Sequence, residues 1–82
     1  MSLNDPPKLV EGFRWIVYDP DLLGGKPAIK GMRISVSMVL ESLAIGMTAD
    51  DLADDYPGFP KECSPEVLKF AAKQANFPLK AA

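Results

Sequence analysis

The sequence predicts a mainly α domain: a short amino-terminal β-hairpin or strand pair leading into three helices with a helix-turn-helix rhythm. Three observations carry this. The run Phe13-Arg14-Trp15-Ile16-Val17-Tyr18 is rich in aromatic and β-branched residues. Behind Ser35, apolar residues recur at Val36, Val39, Leu40, Leu43 and Met47, the spacing of one helix face. Ser64-Pro65-Glu66 then sets a capping serine, a first-position proline and a first-turn acid ahead of another helical pattern.

Taken in order, Asn4 to Lys8, with Pro6-Pro7, reads as an extended or flexible lead-in, and residues 1–12 are assigned to a flexible lead-in. Phe13 to Tyr18 is the first strand, with Phe13, Trp15 and Val17 on one face. Asp19-Pro20-Asp21 ends it and Gly24-Gly25 opens a turn. Ala28-Ile29-Lys30 is a second strand, paired with the first either within the chain or between two chains. The first helix runs from Ser35 or Val36 to Ile45, and Gly46 suits the left-handed position that closes helices. Thr48 caps the second, with Asp51 in the place of the capping-box acid. Ala49, Leu52, Ala53 and Tyr56 form its inner face, and Pro57 stops it. The third helix starts at the Ser64 cap, turns Val67, Leu68, Ala71, Ala72 and Ala75 inward, carries Glu66, Lys69, Lys73 and Asn76 as a polar stripe, and ends at Pro78. One strand-plus-three-helix domain therefore spans 13–78, with 79–82 as a tail.

A formal charge of −2 argues against general, charge-driven nucleic-acid binding, but the charge is unevenly spread. From Met1 to Arg33 five bases meet four acids; from Ile34 to Pro60 there are five acids and no base; from Lys61 on, four bases meet two acids. DNA binding would require the fold to separate these regions. The single cysteine, Cys63, allows no intramolecular disulfide and suits a reducing cytoplasm. No apolar stretch spans a bilayer and no signal-peptide pattern opens the chain.

Lys26, Lys30 and Arg33 form a basic, glycine-punctuated arm for DNA phosphates or an acidic partner. Arg33 has a second reading, a pair with Asp19 or Asp21 that fixes the loop. In a helix-turn-helix the first pair of helices braces a third that enters the major groove; here that helix would present Lys69 and Lys73, with Ser64 and the first amides near a phosphate. The competing reading is a three-helix packing unit with a solvated polar stripe. Gly24-Gly25-Lys26 lacks the spacing, the following Ser or Thr and the helix of a nucleotide-binding loop. The aspartates of the second helix splay apart with no histidine to complete a metal cluster, and Cys63 has no histidine to activate it. The chain is expected to be non-enzymatic and to need no cofactor.

Asp-Pro-Asp at 19–21, Gly-Gly-Lys-Pro at 24–27 and Ile-Lys-Gly-x-Arg-Ile-x-Val at 29–36 stand in an order that continues through Gly46-Met47-Thr48 and Asp55-Tyr56-Pro57. This series resembles a widespread small bacterial family catalogued as a domain of unknown function, number 433. The resemblance implies a homeodomain-like helical fold with an amino-terminal strand region. It also implies an antitoxin-like role, with operator DNA and a PIN-like ribonuclease toxin as partners. Lys30 and Arg33 match the family's basic positions, and Gly25, Pro27 and Gly31 its turns; Met32 stands where threonine is usual. The expectation is a dimeric, antitoxin-like DNA-binding regulator. The alternative is a protein-interaction module that uses its acidic helices and binds no DNA.

Overall fold

A computed structural model describes residues 7–21 and 23–75. The expected stop at Pro78, the 79–82 tail and the first part of the lead-in lie outside the described residues. Strand β2 (Ile16–Tyr18) is central, with β1 (Lys8–Leu9) and β3 (Pro27–Ile29) antiparallel on either side. The registers are Ile16↔Ile29, Val17↔Ala28 and Tyr18↔Pro27 on one side, and Lys8↔Tyr18 and Leu9↔Val17 on the other. The expected strand pair therefore forms within one chain. The strand β1 arises where the sequence predicts only a lead-in, because two residues are too few to show a period.

The first strand is shorter than expected, and its start has a local cause. The amides of Arg14 and Trp15 donate to the carboxylate of Glu66 instead of a neighbouring strand. Pleating then sorts the sheet's two faces. Ile16 and Ile29 join the helical core, while Leu9, Val17 and Ala28 share the opposite face.

A turn then carries β3 into the helices. The Met32 amide donates to the Ile29 carbonyl at 2.9 Å, and Gly31 sits at φ 79, the conformation a type II turn demands at its third residue. The chain returns so that the Ile29 amide donates to the Ile34 carbonyl. This delivers Ser35 as the cap of α1 (Val36–Ala44), its Oγ accepting from the Met38 amide at 3.0 Å. Gly46, at φ 99, closes α1 as expected. A full capping box starts α2 (Ala49–Asp55): Asp51 N–H donates to Thr48 Oγ1 at 3.1 Å, and Thr48 N–H donates to Asp51 Oδ2 at 2.9 Å.

Between α2 and α3 (Ser64–Ala75) the linker is packed rather than loose. Phe59 and Cys63 are buried, and Lys61–Cys63 winds as a 3-10 turn directly into α3. Ser64 therefore does not cap the helix. It sits inside the helical path at φ −57, ψ −47, and its buried Oγ makes no hydrogen bond among the described residues. The inner face of α3 also differs from expectation. Val67 and Phe70 are buried, whereas Leu68 is 55% exposed and Ala72 and Ala75 face water. Phe70 meets Phe13 edge-to-face, with centroids 5.5 Å apart and rings at 75°. The resulting architecture is mainly α with a small three-stranded sheet.

Cys63 lies in this core, and burial, reinforced by the nearby Glu62 and Glu66 charges, pushes its thiol up to about 11. At pH 8 about a thousandth of such thiols are ionised. The native chain should react with a disulfide reagent about a hundredfold more slowly than the chain unfolded in guanidinium. Equal rates would show that Cys63 is accessible in the fold.

Candidate nucleic-acid interface

The six basic or capping residues singled out by the sequence fall into three places. Lys69 and Lys73 are exposed on α3, one turn apart and so on one side of the helix. The Nζ of Lys73 stands 5.6 Å from the centroid of the Phe13 ring, a cation–π contact that sets its ammonium beside the core while the residue stays exposed. Ser64, at the start of the same helix, turns its Oγ inward, so that hydroxyl does not reach a ligand at the surface.

The arm itself is divided. Lys26 precedes β3 and lines a largely apolar groove of about 470 Å3 with Val36 and Leu40 of α1 and Phe70, Ala71 and Gln74 of α3. Lys30 and Arg33 lie beyond the other end of β3. They border a second groove of about 520 Å3 whose floor includes Leu9 and Val17 on the sheet face turned away from the core. Sequence order suggests one continuous basic arm; β3 instead leaves Lys26 at one end of the strand and carries Lys30 and Arg33, across the Gly31 turn, to the other. The second reading of Arg33 loses its Asp19 half. Asp19 borders the same groove, but its Oδ1 accepts from the Asp21 amide at 3.0 Å, and Arg33 forms no ion pair with Asp19.

The acidic charge is partly committed. Asp51 serves in the capping box, and Asp50 Oδ1 lies 3.0 Å from Lys61 Nζ. That carboxylate raises the Lys61 ammonium above its ordinary value, but both side chains are solvent-exposed, so the pair adds little stability. Asp54 and Asp55 stay exposed at the end of α2, their side chains in no hydrogen bond or ion pair among the described residues, although the Asp54 charge also acts on Lys61. Among those residues no group of three His, Cys, Asp or Glu side chains is arranged to hold a metal ion. No helix among them is long and apolar enough to cross a membrane.

The residue that sequence reasoning missed is Glu66. Its Oε1 accepts from Arg14 N–H at 3.0 Å and from Trp15 N–H at 2.9 Å, and its Oε2 from Arg14 N–H at 2.9 Å. This carboxylate fastens α3, the helix bearing Lys69 and Lys73, to the entry of β2. The sequence offers only a first-turn acid, a common helix-start signal, and nothing that points fifty residues back.

The model of a family described as protein of unknown function (DUF433) matches residues 16–71, from β2 well into α3. No match was found among curated proteins or solved structures. The match covers more than half of the chain, and the protein belongs to the DUF433 family.

Proposed function

We propose that this DUF433 protein is a non-enzymatic, antitoxin-like regulator that binds operator DNA in the cytoplasm as a homodimer and masks a PIN-like toxin. One observation carries the DNA-binding part: exposed Lys69 and Lys73 stand on one side of α3, while exposed acids gather on α2. The capped α1–α2 pair supports a homeodomain-like brace behind that helix. Lys26, across the groove from α3, adds a third positive group. Lys30 and Arg33, on the far side of the sheet, would meet DNA only along a separate stretch of backbone.

The test is fluorescence anisotropy against duplex from the chain's own upstream region, with a scrambled duplex and a salt series alongside. Lys69→Glu with Lys73→Glu should weaken specific binding by about a hundredfold and flatten the salt dependence by about two phosphate contacts. Unchanged binding by that variant would remove α3 from the interface. Equal, weak binding of the wild type to both duplexes favours the second reading, a protein-interaction module without DNA binding. Its support is the exposed pair Asp54 and Asp55, suited to a basic protein surface.

A further inference from the structure

Two surfaces of the chain are complementary to each other. The first is the groove on the sheet face turned away from the core. Its floor is apolar, with Val17 buried and Leu9 still 51% exposed, and Lys30 and Arg33 stand at its border. Both bases are exposed and neither has a carboxylate partner among the described residues. The second surface is the knuckle where α2 ends. There Asp54 and Asp55 lead into exposed Tyr56, and the Phe59 amide donates to the Tyr56 carbonyl at 2.9 Å in a tight turn with Pro57 and Gly58 at its corner.

We propose that the groove bordered by Lys30 and Arg33 receives the Asp54–Asp55–Tyr56 knuckle of a second copy of this chain. The tyrosine ring covers Leu9, beside the already buried Val17, and the two carboxylates meet the two bases. Of the four α2 aspartates, Asp50 pairs with Lys61 and Asp51 serves in the capping box; Asp54 feels the Lys61 charge without a direct contact, and it and Asp55 are the two beside the tyrosine. An aromatic anchor on an apolar floor, with charge kept to the rim, fits the anatomy of protein interfaces. Strand addition at the outer edge of β1 is a poorer route to the same dimer. That strand has two residues, and Pro7 before it has no amide to donate. The proposal rests on the homodimer reading and names its interface. It assigns Lys30 and Arg33 to the partner copy and leaves DNA to Lys26 and α3.

Sedimentation velocity without DNA, across a concentration series, tests it. Self-association is expected at about 50 mM salt and should weaken strongly at about 0.5 M. Lys30→Glu/Arg33→Glu and Asp54→Lys/Asp55→Lys should each weaken association by about tenfold or more. Mixing these two variants should restore it, because each then offers the surface the other needs; all four positions are exposed, and thermal melts confirm that the variants fold. A monomer at every concentration in low salt overturns the proposal, as does failure of the mixture to associate. Association that survives both charge reversals also overturns it, and leaves the homodimer reading standing with another interface.

Discussion

Phe70→Ala is expected to destabilise the domain by about 3–5 kcal/mol, a loss comparable to the whole stability of many small domains. Phe70 is 5% exposed and belongs to the single core cluster shared by the sheet's inner face and all three helices. Truncation removes its burial, opens a cavity, and ends the edge-to-face contact with Phe13. The ring on which Lys73 rests would then lose its support. Chemical denaturation followed by far-UV circular dichroism checks this, with Leu68→Ala as the comparison. Leu68 is half exposed on the same helix, and its loss should cost less than about 1 kcal/mol. Similar midpoints for the two variants would mean that α3 packs through a different face.

Glu66→Ala should cost about 2–3 kcal/mol, far more than an ordinary surface acid. Hydrogen bonds to charged groups are the stronger kind, and this carboxylate accepts three from two successive amides. Its removal leaves the half-buried Trp15 amide without that acceptor. Glu66→Gln retains one acceptor oxygen and loses the charge, so it should fall between Ala and the wild type. Added salt should recover little of the loss, because short hydrogen bonds, not long-range charge, are what is missing. Hydrogen exchange at the Arg14 and Trp15 amides reports the contact directly. Unchanged exchange in Glu66→Ala would show that those amides have other acceptors.

Local chemistry made much of the fold legible. Ser35, Gly46, Thr48 and Asp51 mark the boundaries of α1 and α2 by bonds within a few residues, and all four act as their types predict. That the two strands pair is likewise legible from their β-branched residues and the Gly24-Gly25 turn between them, but pairing within one chain is not; in the structure Ile16 faces Ile29. What failed was long-range. The inner face of α3 was misplaced because Leu68, Ala71, Ala72 and Ala75 surround the helix with apolar positions, leaving the choice to Phe13, which packs on Phe70 from 57 residues away. Ser64 carries the sequence signal of a cap, but the preceding 3-10 turn already supplies helical backbone there. Among the candidate contacts, Lys69 and Lys73 kept the shared exposure that their spacing implies. The arm of Lys26, Lys30 and Arg33 did not stay together, since three strand residues and a reversal separate its ends.

The Glu66 clamp also bears on how the domain comes apart. It joins residues near the start of the first half to the last described helix, and the Phe13–Phe70 contact makes the same connection in apolar form. Neither the sheet nor the helix set is thus expected to fold on its own. A fragment that stops before Ser64 loses both ties at once, and so does one that starts after Trp15. Unfolding is expected to be a single all-or-none transition, with the strands and helices melting together under any probe.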